Sequence, residues 1–295
     1  MMKQIGVIGA GAMGKGIAAN CQKAGYQVTA FKRNIDESDE KIVYLRNHGV
    51  SITSDLQQIY SSSDILLTCL SDSPTVESLI LGEQGLLSSA STSVRIVIDF
   101  TTALPESTQK IASRLQEKGI SMLDAPMTRG PKQAEEGSIN LVVGGPEDVF
   151  ETYRPLLESV SAHIVYAGPH GAGNTVKLMN NFMSLMTRAA GSITALLIQR
   201  KGVSLEAFRD FISVSGGNSA GFQAVMRSIL EDDFSPSFAL SLAHKDLRYN
   251  KMVFEDSANE LLDVTLKYYR EAEEAGYGDA DTNAIYQSLK AQIER

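Results

Sequence analysis

The stretch Gly9-Ala10-Gly11-Ala12-Met13-Gly14 decides the fold, because it spells G-x-G-x-x-G directly after an apolar run, Gln4 to Ile8. An amphipathic segment, Ala12 to Lys23, follows, so the glycines lie between a predicted strand and a predicted helix. There the first glycine allows a tight turn, the second admits a pyrophosphate, and the third lets the helix pack on the strand. Free N–H groups and the helix dipole attract phosphate. We predict that this turn binds a dinucleotide through Gly9, Gly11, Ala12, Met13 and Gly14; the alternative is a glycine-rich turn without a ligand.

Short apolar runs and helix-length amphipathic segments alternate from Ile5 to about Tyr166, which indicates repeated strand–helix–strand units. The pattern predicts strands at residues 4–8, 27–31, 65–70, 95–99, 121–125, 140–143 and 163–166, and helices at 12–23, 36–47, 74–81, 105–117 and 146–159. The first four strands lack polar alternation, as expected of parallel strands covered on both faces. The sequence therefore predicts an α/β fold with a doubly wound, mostly parallel sheet.

After Gly173 the strand-like runs end and helical periodicity continues to the C-terminus. We predict an N-terminal domain over residues 1–166 and an all-helical domain over 167–295, joined by one long helix. Its apolar residues recur at steps of three and four, at Val176, Met179, Met183, Met186, Ala190, Ile193 and Leu197. This stripe suits either a core or a subunit contact, and we interpret the three methionines as core filling.

Composition narrows the class of protein. The chain has 295 residues, 43% of them hydrophobic, and its formal charge is 27 − 35 = −8, so it has no global attraction for nucleic acid or anionic lipid. No apolar run reaches the roughly 20 residues that span a bilayer. Two cysteines, Cys21 and Cys69, suit a reducing cytosol as small buried residues, and the four histidines lack zinc-ligand spacing. We expect a cytoplasmic protein with no metal, nucleic acid or membrane partner.

The end of the second predicted strand indicates which dinucleotide binds. An NAD enzyme usually has Asp or Glu there, which accepts hydrogen bonds from the ribose hydroxyls. Here the strand runs into Lys32, Arg33 and Asn34, and no acid precedes Asp36. An arginine at this position binds a 2′-phosphate with charge-assisted hydrogen bonds. We predict that Lys32, Arg33 and Asn34 contact NADP, with NAD also possible; the alternative is a solvated basic turn.

The long helix opens with a polar line. Lys177 and Asn181 are four residues apart, so both project from one helix face, and Ser184 and Arg188 continue that line. A lysine in a cleft can exchange a proton with a substrate oxygen, although its ordinary pKa of about 10.4 is high for a base. Burial and a neighbouring cation, such as Lys245 or Arg129, would lower that pKa. The alternative is a solvated polar face.

Taken together, these motifs resemble the β-hydroxyacid dehydrogenase family, the group of 3-hydroxyisobutyrate dehydrogenase and tartronate semialdehyde reductase. The resemblance runs from Ile5 to about Ala284 and covers the glycine turn and five further segments in order: Thr68-Cys69-Leu70-Ser71, Asp99-Phe100-Thr101-Thr102, Asp124-Ala125-Pro126-Met127-Thr128-Arg129-Gly130, the Gly171 to Asn181 segment, and Lys245-Asp246-Leu247. It implies a Rossmann domain, a helical C-terminal domain like that of 6-phosphogluconate dehydrogenase, and reversible hydride transfer between NAD(P) and a 3-hydroxy acid.

The resemblance also implies roles for single residues. Lys177 takes the place of the family's catalytic lysine, which exchanges a proton with the 3-hydroxyl, and Asn181 takes the substrate-orienting position. Thr128 replaces the usual serine and would bind the substrate carboxylate beside the Gly130 backbone. Lys245 matches a lysine near the substrate and cofactor, whereas Asp246 is expected to be structural. Leu70, Ser71 and Thr102 lie in loops that contact the cofactor. A homodimer or homotetramer with a small acidic substrate is the expected assembly.

Two positions depart from the family pattern. Ser71 stands where proline is common, and Arg129 stands where many members have glycine. In this respect the chain is similar to sulfolactaldehyde reductases, which also have an arginine here. We therefore consider a reductase of a doubly anionic aldehyde, sulfolactaldehyde-like or succinic-semialdehyde-like, that uses Arg129. The alternative is that Arg129 pairs with Glu135 or Glu136.

Three other functions remain open at this level. An imine reductase has a similar architecture but generally lacks the lysine found at position 177. Oxidative decarboxylation, as in 6-phosphogluconate dehydrogenases, would release carbon dioxide. A nucleotide-sensing protein without catalysis would bind the cofactor and show no turnover. The retained Lys177 and Asn181 favour an NADP-preferring dehydrogenase that interconverts a 3-hydroxy acid and its semialdehyde.

Overall fold

The computed structural model describes residues 3–254 and 259–293. The chain divides into two compact units between Lys177 and Leu178, which we call the N-terminal unit and the C-terminal unit. Within the described ranges, no helix combines the length and the apolar character needed to cross a bilayer.

The N-terminal unit contains one sheet, whose described strands are β1 (Gln4–Ile8), β2 (Gln27–Phe31), β3 (Ser51–Thr53), β4 (Ile65–Thr68), β5 (Ile96–Asp99), β6 (Ser121–Asp124), β7 (Met127–Thr128), β8 (Ile139–Gly144) and β9 (Ser161–Gly168). Their order is β3-β2-β1-β4-β5-β6-β8-β7, and β9 pairs with β8. The first six strands in that order are parallel, while β8 runs antiparallel to β6. The predicted doubly wound, mostly parallel sheet is confirmed.

The helices of this unit lie between the strands. They are α1 (Gly14–Lys23), α2 (Glu40–Asn47), α3 (Leu56–Ser62), α4 (Ser73–Leu81), α5 (Pro105–Gln116), α6 (Pro131–Glu135), α7 (Glu147–Glu158) and the start of α8 (Ala172–Arg200). Asp39, Asp55 and Asp72 cap α2, α3 and α4, because each carboxylate accepts an otherwise unpaired backbone N–H of the first helical turn.

Alternating side chains of the central strands pack on opposite faces of the sheet. Ile65 and Leu67 of β4 join the cluster that contains Ile17 of α1, whereas Leu66 joins the cluster that contains Ile80 of α4. Each fully buried side chain of this size contributes about 1.5–3 kcal/mol through the hydrophobic effect. Both faces are therefore covered by helices, which explains the continuous apolar runs in the sequence.

The C-terminal unit is helical in its described part. It contains the rest of α8 and α9 (Leu205–Ser213), α10 (Ala220–Glu231), α11 (Leu240–Val253), α12 (Glu260–Ala272) and α13 (Ile285–Ile293). Leu185 of α8, Val225 of α10, Leu247 of α11 and Tyr269 of α12 meet in one buried cluster. The predicted α/β and helical organisation is therefore confirmed.

The interpretation of the α8 methionines as core filling is wrong for Met183. Met183 is 64% exposed and Leu197 is 51% exposed, so these side chains do not fill the core of either unit. The buried side of α8 instead carries Leu178, Leu185 and the polar Asn181, together with Ala189, Ser192, Ala195 and Leu196. Composition alone does not reveal which apolar side of a helix faces the core, because this buried side includes polar residues. Of the cysteines, Cys21 is buried as predicted and Cys69 is half-buried.

The boundary between the units also differs from the predicted division after residue 166. The compact N-terminal unit includes the first turns of α8, up to Lys177. The reason is local: the Asp124 carboxylate at the end of β6 accepts hydrogen bonds from the backbone N–H groups of Gly171 and Asn174. These bonds attach the start of α8 to the sheet.

Candidate active site

Two requirements, tight backbone packing and space for a ligand, explain the glycines of the turn after β1. Gly9 has φ +97°, and a Cβ built on it would lie 2.2 Å from the carbonyl oxygen of Cys69. A Cβ built on Gly14 would likewise lie 2.2 Å from the carbonyl oxygen of Gly9. By contrast, a Cβ on Gly11 would have no neighbour nearer than the Gly9 oxygen at 4.0 Å. Packing within the described residues explains Gly9 and Gly14 but leaves Gly11 open to a ligand, as a pyrophosphate-binding turn requires.

A cavity of about 1260 Å³ begins at this turn. It follows the carboxyl ends of β1, β2, β3 and β4, where the strand order reverses direction, and this is where doubly wound sheets bind nucleotides. Five predicted cofactor residues line the cavity: Gly9, Gly11, Lys32, Arg33 and Leu70. Of the other predicted cofactor residues in this unit, Ala12, Met13, Gly14, Asn34, Ser71 and Thr102 are not part of its lining. The volume and the open turn fit a dinucleotide.

Two cations stand at the end of the cavity that follows β2. The Nζ of Lys32 lies 3.8 Å from Oδ2 of Asp39, while the exposed Arg33 has no carboxylate within 4.0 Å among the described residues. Asp55 also lines the cavity, but its carboxylate accepts the backbone N–H of Gln57 as the cap of α3. Arg33 is therefore the cation at this end of the cavity whose charge is not paired with a carboxylate of the described residues.

The loops that follow β4 and β5 are bonded to each other. The backbone N–H of Leu70 donates to Oγ1 of Thr101 at 2.9 Å, and that of Leu104 donates to Oγ of Ser73 at 2.7 Å. Ser71 is exposed and Thr102 is half-buried beside these bonds. The pairing fixes both loops at the carboxyl edge of the sheet, so their polar side chains have defined positions beside the cavity.

Two buried carboxylates end the neighbouring strands β5 and β6. Asp99 and Asp124 are register partners, and both are 0% exposed. Oδ1 of Asp99 accepts from the Thr68 hydroxyl and the Thr101 N–H, while its Oδ2 has no hydrogen-bond partner among the described residues. Burial raises the pKa of Asp99 to about 6. Burial also raises the pKa of Asp124, against the lowering effect of the N–H bonds from Gly171 and Asn174.

The predicted substrate turn follows β7, which ends at Thr128. Arg129 adopts φ +76°, a left-handed conformation that costs a residue other than glycine on the order of 1 kcal/mol. Its guanidinium donates to the carbonyl of Ser138 at 3.2 Å. Neither Glu135, which pairs with Lys15, nor Glu136 is an ion-pair partner of Arg129 among the described residues. Gly130 is half-buried and precedes α6.

The long helix carries the predicted acid/base residue Lys177 and the predicted substrate-orienting residue Asn181, one in each unit. Lys177 is half-buried and belongs to the N-terminal unit. In the C-terminal unit, Nδ2 of the buried Asn181 donates to Oδ2 of Asp246 at 2.6 Å. Oδ1 of Asp246 lies 3.1 Å from Nζ of Lys245, so Asp246 connects Asn181 with Lys245. This contact agrees with the expectation that Asp246 is a structural partner.

Sequence reasoning missed several residues that shape these loops. Asn20 of α1 donates through Nδ2 to the carbonyl oxygens of Ala134 and Glu135, and thereby binds the helix after the substrate turn to the helix after the glycine turn. Asn174 and the two buried carboxylates were part of matched segments but had no assigned role. The sequence feature that indicates the two buried carboxylates is an acid that directly ends an apolar strand, as at Asp99 and Asp124.

Comparison with known proteins identifies the family. Residues 4–168 match the family model for the NAD binding domain of 6-phosphogluconate dehydrogenase. Residues 171–289 match the model described as NAD-binding of NADP-dependent 3-hydroxyisobutyrate dehydrogenase. The chain belongs to the β-hydroxyacid dehydrogenase family. As a member of this family it is an NAD(P)-dependent oxidoreductase.

Individual relatives of this β-hydroxyacid dehydrogenase differ in the substrates that their names give. 2-(Hydroxymethyl)glutarate dehydrogenase of Eubacterium barkeri is 35% identical over 83% of this chain and 80% of its own length. 3-Sulfolactaldehyde reductase of Escherichia coli is 30% identical over 98% of this chain and 96% of its own. The solved Mycobacterium tuberculosis 3-hydroxyisobutyrate dehydrogenase with L-serine has a TM-score of 0.85 at 25% identity, covering 98% of this chain and 100% of that one.

The pKa of Asp99 predicts a pH dependence of stability. The folded protein keeps this carboxyl protonated up to about pH 6, whereas an unfolded chain releases the proton near pH 4. The folded state therefore binds more protons between these values, and the contribution of Asp99 to stability falls as pH rises from about 4 to about 6. An amide at this position keeps the acceptor for Thr68 and Thr101 and does not titrate.

Urea unfolding of wild type and Asp99→Asn between pH 4 and pH 7 measures this contribution. As pH rises across that window, the free energy of unfolding of the variant should increase relative to that of wild type by up to about 3 kcal/mol. This size follows from the difference of roughly two units between the folded and unfolded pKa of Asp99. A difference between the two proteins that does not change with pH would contradict the buried, protonated state of Asp99.

Proposed function

We propose that this β-hydroxyacid dehydrogenase is an NADP-preferring enzyme that interconverts a small 3-hydroxy acid and its semialdehyde, with Lys177 as general acid and base. The observation that carries the proposal is the attachment of the start of α8 to the carboxyl edge of the sheet. Gly171 and Asn174 bond to Asp124, and Ala103 bonds to the Asn174 side chain. Lys177 therefore extends from a helix turn held at the carboxyl edge of the sheet, the same edge along which the cavity follows the ends of β1 to β4.

Each protein group then has one chemical task. A bound nicotinamide dinucleotide supplies or accepts the hydride at C3 of the substrate. In reduction the Lys177 ammonium donates its proton to the aldehyde oxygen, and in oxidation the neutral amine removes the hydroxyl proton. The Thr128 hydroxyl and the Gly130 N–H bind the substrate carboxylate. Asn181 orients the substrate and Lys245 contributes positive charge; both roles rest on the family resemblance.

Replacing Lys177 with alanine tests the proposed acid/base role. Kcat should fall by about 10² to 10⁴, the usual contribution of a positioned general acid or base, while the Kd for NADPH stays within twofold. Steady-state rates with cofactor fluorescence titration measure both quantities. Lys201→Ala, an exposed lysine just after α8, is the matched control and should keep full activity. Turnover of Lys177→Ala close to wild type would remove Lys177 from the mechanism.

The NADP preference rests on Arg33 and Lys32 at the cavity. Charge-assisted hydrogen bonds contribute about 1.5–3 kcal/mol each, so Arg33→Ala should raise the KM for NADPH roughly 10- to 100-fold and leave the KM for NADH nearly unchanged. Arg114→Ala, an exposed arginine of α5, controls for loss of surface charge. Equal changes with both cofactors, or wild-type rates with NADH that match those with NADPH at low concentration, would contradict the preference.

A second candidate is favoured by the strained conformation of Arg129. A glycine would adopt φ +76° without cost, so an arginine retained in this conformation suggests a functional use of its guanidinium. The name of one relative supports the same interpretation, because 2-(hydroxymethyl)glutarate has two carboxylates. In this candidate function, Arg129 binds a second anionic group of the substrate.

Arg129→Gly tests this candidate without disturbing the turn, because glycine tolerates the same backbone conformation. 3-Hydroxyisobutyrate and 2-(hydroxymethyl)glutarate are a matched substrate pair, since the second replaces the methyl group of the first with a carboxyethyl group on the same hydroxymethyl acid. We expect kcat/KM for the dicarboxylate to fall at least tenfold and that for the monocarboxylate to change less than threefold. An equal loss on both substrates would show that Arg129 does not select a second anion.

The exposed side of α8 supports a second copy of the chain as partner. Val176, Met183, Ala190 and Leu197 follow one another at intervals of seven residues, the spacing at which side chains repeat along a packed helix face, and all four are exposed. Met183→Glu should therefore lower the molar mass measured by light scattering to that of a smaller assembly. Met252→Glu, at a 57% exposed methionine of α11, should not. A monomeric wild type at micromolar concentration would contradict this pairing.

A further inference from the structure

The first turn of α8 is capped from a distant part of the chain. Helices usually begin after Ser, Thr, Asp or Asn, whose side chain accepts an unpaired N–H of the first turn. Here Gly171, with φ +86°, precedes Ala172 and has no side chain to do so. Instead, Oδ1 of Asp124 accepts the N–H of Gly171 at 2.8 Å, and Oδ2 accepts the N–H of Asn174 at 2.9 Å. One carboxylate thus satisfies both donors.

The neighbouring glycines allow this close approach. A Cβ on Gly144 would lie 2.6 Å from Oδ1 of Asp124, and a Cβ on Gly173 would lie 2.8 Å from Oδ2. Contacts this short would force the carboxylate away from the helix, since real Cβ atoms do not approach other atoms so closely. The positions around Asp124 are therefore shaped to let the carboxylate reach the helix backbone.

Asn174 supplies a second attachment in the same turn. Its Oδ1 accepts the backbone N–H of Ala103 at 2.9 Å, and its Nδ2 donates to the hydroxyl of Thr108 at 3.1 Å. Ala103 follows β5 in the loop that contains Thr102, and Thr108 belongs to α5. The start of α8 is therefore bonded to the end of β6, to a predicted cofactor loop and to a helix of the sheet layer. Both Asp124 and Asn174 are 0% exposed, so solvent does not compete for these bonds.

The charge of Asp124 also acts on the helix. A carboxylate at a helix N-terminus offsets the positive end of the helix dipole. Its negative charge also favours the charged form of a cation close by. Lys177 lies one turn beyond Asn174, where both the orientation of the helix and this local field affect its side chain. Nε2 of the adjacent His170 contacts the carbonyl of Met122 at 3.1 Å. His170 and Asp99 are the titratable groups of the described residues that interact with Asp124.

We propose that Asp124 is a positioning residue for the reaction: by capping α8 from the end of β6 it fixes the orientation of Lys177 and favours its ammonium form. This inference rests on the proposed role of Lys177. Asp124 touches neither substrate nor cofactor in the proposal and acts through the helix backbone and its charge.

Asp124→Asn tests both the orientation of Lys177 and the effect on its ammonium form, because the amide has nearly the same shape, keeps one acceptor oxygen and loses the charge. We expect kcat to fall roughly 10- to 100-fold and the Kd for NADPH to stay within twofold. The pKa that the pH profile of kcat assigns to Lys177 should move downward, because a nearby negative charge is removed. Ser204→Ala, which removes the N-cap of α9, controls for the general loss of a helix cap and should leave the profile unchanged.

Each outcome decides the proposal. Unchanged kcat, or a lower kcat with an unshifted pH profile, would overturn it, since a merely structural residue would not move the kinetic pKa. If Asp124→Asn fails to fold, Gly173→Ala takes its place, because the added Cβ would lie 2.8 Å from Oδ2 of Asp124 and would displace the carboxylate from the helix without removing its charge. Loss of kcat at unchanged Kd then supports the positioning role, and wild-type kcat overturns it. Lys177→Ala, measured in parallel, distinguishes failure of this inference from failure of the proposed proton carrier.

Discussion

The close approach of the backbone after β1 to the end of β4 is the constraint on which the nucleotide site depends. Gly9 lies so near the Cys69 carbonyl that no side chain fits between them, and Gly14 packs equally tightly on Gly9. Because the turn is this compact, the N-terminus of α1 lies directly above the sheet edge and the space over Gly11 stays open. The adjoining cavity then extends along the strand ends to Lys32 and Arg33.

A second feature relates the sheet to the chemistry. Asp99 and Asp124 end adjacent parallel strands and are fully buried, and one oxygen of Asp99 and both oxygens of Asp124 accept hydrogen bonds there. Asp99 holds the segments after β4 and β5 through Thr68 and Thr101, and Asp124 holds the start of α8.

Much of the fold was predictable because its strongest signals are local. Strands β1 and β2 match their predicted bounds, since each is an apolar run bordered by glycine or charge. Strand β7, with two residues, and α6, with five, are too short to show a period and were missed. The buried side of α8 was also misassigned, because it includes Asn181 and Ser192, whereas hydrophobicity favoured the exposed Met183. The distant cap by Asp124 follows from tertiary contacts that no sequence spacing encodes.

The central proposal for this enzyme is hydride transfer to a small acidic aldehyde. The most direct measurement incubates the protein with NADPH carrying deuterium at the transferable C4 position and a panel of semialdehydes, and analyses the products by mass spectrometry and NMR. We expect that NADPH is oxidised and that deuterium appears at C3 of a 3-hydroxy acid, without release of carbon dioxide. Tight NADPH binding with no labelled alcohol from any aldehyde would contradict it and favour a nucleotide-sensing role.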